Sequence, residues 1–557
     1  MSGAQPRGRG RARGRGRIVA LIATAALLLS GCASIPEAPP WSPREAAAPT
    51  MQLSTAGSAT DPTTDPAQPA TTTDPTAAPA AAAAAGLDTR LLYNATDASP
   101  LAARWGEIPG DHPLTDLLRG RVATAIADHA ALTGVPYVPA ADAPTLGPEA
   151  RGCVPGSTTR PAADLIADPV FTPPATGPSL TITCEILAAA GNMLVEALRI
   201  TTAAGGQVTS DETTVYYAET SGAFITSSDT FLSDDGLRTL LTGLVQSLKA
   251  RAGALNPAMT ESLDDFPVDR LRTVFENFTL AADGALTVTV PDDFSTPELD
   301  LLPATRDPAV RPSPLVITVP PETTGSLLTE QGRQIQAVLA SGAPLTLPAA
   351  PTRGQETVDC AFFACVALTF DDGPGEYTAG VLDELDARRA AATFFLQGYR
   401  TVQNPSVVRR MHDEGHEIGN HTWNHPDLTK LKDEEIKDQL DRASAAIRDA
   451  SGDRPTTFRP PYGAVDERVL KQTNLPAILW TVDTNDWQLP DDATLLDRAV
   501  QQPGPGAIIL MHDVHENTAR MTPQVLDGLL GRGFTLVTVQ QLLGGTLPAP
   551  HTTTSRG

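Results

Sequence analysis

Residues 366–374 read Val366-Ala367-Leu368-Thr369-Phe370-Asp371-Asp372-Gly373-Pro374, an apolar strand that ends in two adjacent carboxylates on a Gly-Pro turn. Standing alone, such a motif is a solvated acidic turn. At the end of an apolar strand the two charges are costly unless a cation or a proton neutralises part of them. A helical apolar pattern over 377–389 follows, and strand-then-helix alternation then repeats, with a second clear helix over 433–450. Candidate strands lie at 366–370, 393–396, 417–420, 457–459, 477–482, 507–511 and 535–539. Alternation of this kind implies a parallel sheet. Seven short strands in about 190 residues suit a closed or distorted (β/α) barrel, and barrel enzymes carry their chemistry on the loops after the strand C-termini.

Those loops hold four further blocks. His421-Thr422-Trp423-Asn424-His425-Pro426 follows the third strand. Its i, i+4 spacing lets two imidazoles converge if the loop makes one helical turn. With one carboxylate they form a set that leaves coordination sites open for water and substrate. His412 and His416 share the spacing on the preceding helix, but no acid-bearing strand end accompanies them. His412 therefore reads as helix surface and His416 as structural. Arg459-Pro460-Pro461-Tyr462-Gly463 follows the fourth strand, a rigid backbone suited to aiming a main-chain N–H at developing negative charge. Asp483-Thr484-Asn485-Asp486-Trp487 follows the fifth. Leu510-Met511-His512-Asp513 ends the sixth, where a His with a carboxylate to orient it can act as a general acid.

In this order the five blocks resemble the motifs of carbohydrate esterase family 4, the polysaccharide deacetylases with a nodulation-deacetylase-type homology domain. The resemblance covers roughly the last third of the chain. Thr484 departs from it, since Ser or Ala is commoner there. The resemblance implies a distorted seven-stranded α/β barrel. It further implies that Asp372, His421 and His425 hold a divalent metal, zinc in the first place, with Co2+, Ni2+ or Mn2+ as substitutes. Asp371 would be the base, oriented by Arg459, and the Tyr462 N–H would face the oxyanion. His512, supported by Asp486, would protonate the leaving amine. Trp487 and Leu510 would wall the acetyl pocket. No Ser or Cys nucleophile is needed.

At 557 residues the chain is too long for one ordinary domain. Residues 1–31 read as an export signal: Arg7, Arg9, Arg11, Arg13, Arg15 and Arg17, no acid, then an apolar run over 18–29. It ends in Leu29-Ser30-Gly31-Cys32, which resembles a bacterial lipobox with Cys32 as the lipidation site. Residues 32–85, almost all Ala, Pro, Thr, Ser and Asp, read as a disordered linker from membrane to wall. Residues 86–350 read as an α+β accessory domain, with helical spacing over 114–132 and 237–252 and strand-like stretches between. His112 and His129 stand alone there. The deacetylase-like domain spans 359–545, and 546–557 read as a disordered tail.

The formal charge is −24, and removing a leader with six Arg takes it to about −30. Such acidity argues against nucleic acid and against anionic membranes as partners, which leaves the lipid as the membrane tether. Beyond Cys32 there are four Cys, an even number that outside the cytosol suggests disulfides. Cys153 with Cys184 and Cys360 with Cys365 are the sequence-local pairings among three connectivities. Cys360-x4-Cys365 as half a metal site is the weaker alternative, because no second Cys pair accompanies it.

Export, tether and spacer together point to peptidoglycan as the cell-wall glycan and to the outer face of the bacterial membrane, and the resemblance of the complete metal set implies N-acetylglucosamine before N-acetylmuramic acid. Chitin-like or O-acetylated glycans are the alternative substrates. A non-catalytic wall-binding or sensor lipoprotein is the alternative of another class, and it would be expected to lack a ligand, the base or the acid.

Overall fold

Strand Cys365–Asp371 is buried at every position in the computed structural model. It pairs in parallel with Thr393–Leu396 on one side and with Ile508–His512 on the other. Parallel pairing continues outward to Glu417–Asn420 and to Val482–Asp483. Single bridges carry it from Asn420 to Phe458 and from Phe458 to Ala477. Thr535–Val537 pairs with the first residues of Cys365–Asp371. The helices Thr378–Ala387 and Asp433–Ser451 lie where helical spacing predicts them.

The strand is buried twice over because its two faces meet different partners. Val366, Leu368 and Phe370 pack with Val381, Leu385 and Val525 of the flanking helices. Cys365 and Ala367 face the other way, with Phe395, Ile508 and Val537, and join Trp105, Leu114 and Leu180 of the N-terminal half in one apolar cluster. Continuous apolar runs are what a parallel sheet covered on both faces requires. The stretch 477–482, expected as one strand, divides into Ala477–Ile478 and Val482–Asp483. Between them the Ile478 and Leu479 carbonyls accept from the Arg459 guanidinium, and the Leu479 N–H goes to Thr553. Expected strand 457–459 is reduced to the bridge at Phe458.

The structure describes residues 51–55, 86–222, 225–226, 231–258, 263, 265–313, 315–545 and 552–554. All belong to the compact unit that runs from Pro49 to Gly557. The export signal, Cys32 and most of the 32–85 linker lie outside the described residues. Among the described residues no helix is long and apolar enough to cross a membrane.

The N-terminal half contributes two sheets. Six strands from Asp88–Asn94 to Ile225–Thr226 follow chain order, and helix Pro113–Thr133 packs on them through Leu114, Leu118 and Val122. A second sheet joins Phe278–Leu280, Leu286–Val290 and Leu315–Val319, backed by helix Asp234–Arg251. Its edge corrects the linker expectation: Gln52–Thr55 is a strand, antiparallel to Leu315–Val319. Met51 and Leu53 alternate with polar neighbours and are buried in that cluster, a signal too short to stand out from an Ala/Thr/Pro-rich context. The tail is corrected likewise. Thr552–Thr553, two β-branched residues, pair in parallel with Ala477–Ile478.

The sulfurs pair as Cys153–Cys184 and Cys360–Cys365. His112 caps helix Pro113–Thr133, its ring accepting from the Leu114 N–H. His412 sits on helix Pro405–Asp413 beside Asp413 and Asp453, and His416 is buried against Phe394.

Candidate active site

The strand ends bring the chemistry together. Asp371 and Asp372 are neighbours in sequence but face different partners, because Asp372 takes a left-handed backbone (φ +72°) as the strand stops. Asp371 Oδ1 accepts from Arg459 Nη1 at 2.8 Å. Asp372 Oδ1 lies 3.5 Å from both His421 Nε2 and His425 Nε2. Ligand atoms of Asp372, His421 and His425 all fall within 4.8 Å of one another.

The loop that carries the two histidines is a tight turn rather than the expected helical one. Thr422 and His425 are both left-handed, at φ +65° and +66°. Asn420 Oδ1 takes the Thr422 N–H, Thr422 Oγ1 takes the His425 N–H, and Gln439 Oε1 takes those of Trp423 and Asn424. Such strain, roughly 1 kcal/mol or more per residue, persists where surrounding bonds over-determine it.

The donor set suits a divalent cation. His421 Nδ1 is 2.7 Å from the Arg459 main-chain carbonyl, which can only accept, so Nδ1 carries the proton and Nε2 offers a lone pair toward Asp372. Burial first, and then the neighbouring His421, lower the pKa of His425, which keeps it in the neutral form a ligand needs.

Across the site, His512 ends the strand beside Asp371, opposite it in register. Its Nδ1 is 2.8 Å from Asp486 Oδ1, and its N–H donates to Asp486 Oδ2 at 2.7 Å. Tyr462 stands on the turn Pro461–Gly463 at φ +60°, its ring 4.7 Å from that of His425. Tyr462 and Trp487 are 71% and 54% exposed, so both present their rings to solvent at this end of the sheet. Leu510 is buried, in register with Thr369.

Residues 362–477 match the polysaccharide deacetylase family. Three curated relatives show how far the likeness extends. A peptidoglycan-N-acetylglucosamine deacetylase of Listeria monocytogenes is 43% identical over 183 residues, 33% of this chain and 39% of its own. A peptidoglycan-N-acetylmuramic acid deacetylase of Bacillus subtilis is 40% identical over 178 residues, 32% of this chain and 38% of its own. A chitooligosaccharide deacetylase of a Bradyrhizobium species is 37% identical over 196 residues, 32% of this chain and 90% of its own. The chain belongs to the polysaccharide deacetylase family. It spans about two fifths of the length of the first two relatives, so the likeness concerns the C-terminal third.

Electrostatics separate the titratable groups of this site. Burial works against the charge of Asp372, but His421, His425 and His512 outweigh it and hold the carboxyl below its ordinary range. Burial likewise opposes the charge on His512, but the hydrogen bond and charge of Asp486, with Asp371 and Asp372 nearby, push it up to about 9. Arg459 is fully enclosed. Its guanidinium reaches Thr369, Asp371 and two main-chain carbonyls, and lies 4.1 Å from the Phe395 ring.

Several contributors escaped the sequence reading. Gln397 Nε2 donates to Asp372 Oδ1 at 2.5 Å, the oxygen that both histidines face. A lone polar residue just after the apolar strand Thr393–Leu396 was its one local signal. Thr518 Oγ1 and Asn517 Nδ2 bind the Asp486 carboxylate and carbonyl from helix Glu516–Arg532, with no signal at all. Asp513, next to His512, turns the other way. It is buried, accepts from Thr378 Oγ1, and lies so close beneath Gly373 that a Cβ there would come within 2.6 Å of it. Burial pushes its carboxyl up to about 7.

Proposed function

We propose that the chain hydrolyses N-acetyl groups on a cell-wall polysaccharide, N-acetylglucosamine of peptidoglycan first, and releases acetate. The observation that carries this is the convergence of Asp372, His421 and His425 beside two separately supported groups, Asp371 on Arg459 and His512 on Asp486. A divalent ion held by those three residues, zinc in this reading, supplies Lewis acidity toward the acetamide carbonyl and the attacking water. Asp371 takes the proton from that water, and Arg459 keeps its carboxylate oriented through a charge-assisted bond. The Tyr462 main-chain N–H faces the oxyanion, and Trp487 and Leu510 receive the acetyl methyl. His512 delivers a proton to the departing amine nitrogen, a poor leaving group without one.

The same reading takes the C-terminal strands as a distorted seven-stranded barrel and the chain as a lipoprotein tethered through Cys32 outside the cytoplasm. The relatives, deacetylases of peptidoglycan N-acetylglucosamine, of peptidoglycan N-acetylmuramic acid and of chitooligosaccharide, support this substrate class. The test is acetate release from purified peptidoglycan and from chitin oligomers, with chelator and with zinc restored. Zinc-dependent release from peptidoglycan is expected. Release from chitin oligomers alone moves the substrate and keeps the chemistry, and no release from either with metal bound overturns the reading.

A further inference from the structure

Away from the deacetylase site, a second group of ligand-type side chains lies within 4.8 Å of one another: Cys153, Cys184 and Glu196. The two sulfurs are bonded to each other, and Cys184 and Glu196 are fully buried. Cys153 is half-buried and lines a cavity of about 940 Å³, where residues 87–91 and 148–155 face residues 387–390 and 530–536.

Glu196 comes from the middle of strand Met193–Ala204. One carboxyl oxygen accepts from the Gly106 N–H at 2.9 Å and touches Cys153 Sγ at 3.5 Å. The other is buried without a hydrogen-bond partner. The charged neighbour that acts on it is another carboxylate, Glu107, already tied to Arg90 and Arg119. Burial pushes the Glu196 carboxyl up to about 8, so at neutral pH it holds a proton.

A purely structural crosslink has no use for a half-satisfied buried carboxyl, which costs stability wherever it sits. Thiol–disulfide exchange has three requirements: an accessible sulfur to attack, a sulfur to leave, and a proton for a thiolate departing into apolar surroundings. Cys153 faces the cavity, Cys184 is the buried sulfur that would leave, and the Glu196 carboxyl, in contact with Cys153, lies within 4.8 Å of Cys184 as well.

We propose that Cys153–Cys184 is a redox-exchange site, in which a dithiol attacks Cys153 from the cavity and Glu196 protonates the departing Cys184 sulfur. The thiolate of the dithiol bonds to Cys153 Sγ, the disulfide breaks, and its electron pair leaves on Cys184 Sγ with the Glu196 proton. The second thiol of the reductant then attacks its own sulfur in the mixed disulfide and yields its proton to Cys153. The dithiol ends oxidised to a disulfide and the two cysteines end as thiols. Glu196 regains from solvent the proton that the first thiol released.

The test exposes the folded, whole chain to dithiothreitol at pH 7, quenches by alkylation and locates the alkylated cysteines by peptide mass. Cys360–Cys365, which belongs to no such group among the described residues, is the internal control. We expect Cys153–Cys184 to open first, while circular dichroism still reports the native fold. Glu196→Gln, which keeps an acceptor for the Gly106 N–H, should slow the opening by about tenfold or more. That ratio should shrink as pH rises past about 8 and wild-type Glu196 loses its proton. Opening of Cys153–Cys184 only as the chain unfolds, or Glu196→Gln opening at the wild-type rate, overturns the proposal. If the variant fails to fold, the wild-type order of opening decides alone, and prior opening of Cys360–Cys365 rejects it.

Discussion

Arg459 and His421 are joined by a hydrogen bond from the imidazole Nδ1–H to the arginine main-chain carbonyl, 2.7 Å long. The side chain of the same Arg459 holds Asp371 at 2.8 Å. One residue thus sets the tautomer of a proposed metal ligand with its backbone and the orientation of the proposed base with its guanidinium. Its own position is secured by Thr369 of strand Cys365–Asp371 and by the Ile478 and Leu479 carbonyls at the end of Ala477–Ile478. The site is built from cross-strand bonds, and its variants should divide cleanly by which bond they remove.

Asp371→Asn removes the proposed base and leaves the three proposed ligands. Turnover should fall by roughly 10²-fold or more while metal content stays at the wild-type level. His421→Ala should lose metal and activity together. Elemental analysis of the two purified variants, set beside acetate release, separates them. Near-normal turnover in Asp371→Asn would sink the base assignment.

Arg459→Leu leaves the Asp371 carboxylate buried without its partner and strips donors from two carbonyls. Loss of one member of a buried pair costs about 3–5 kcal/mol. Denaturant unfolding should register a loss of that size. A variant as stable as wild type would show that Asp371 finds another partner.

His512 is raised to about 9, so its protonated form is present below that pH and is lost as pH climbs through it. The kcat/KM profile should therefore carry an alkaline limb near 9. Asp486→Asn removes the charge that raises His512, and the limb should move to lower pH. A limb that stays where it was would assign it to another group.

Gln397→Leu should weaken metal binding without touching a ligand. Partners one step behind the ligands are typically worth about 10–100-fold in affinity or activity. Competition against a chelator of known affinity reads this directly, whatever happens to turnover. An unchanged affinity would reduce Gln397 to packing.

The sequence by itself determined the residues around which this site is built. Apolar runs ending in Asp371 and His512, and the motif-bearing stretches around His421, Arg459 and Asp486 that alternate with helical patterns, stand out because strand and helix periodicities are local. Partners are not local. Gln397 beside Asp372, Thr518 beside Asp486 and Glu196 against Cys153 meet only when strands far apart in sequence pair, and no spacing rule encodes that. Gln52–Thr55 and Thr552–Thr553 are strands for the same reason: each is too short to be seen alone, and each is ordered by the edge it finds. Electrostatics follow suit. Whether a carboxyl is held below its ordinary range, as in Asp372, or pushed above it, as in Asp513 and Glu196, depends on how much water and which charges the folded chain leaves around it. That balance exists only in three dimensions.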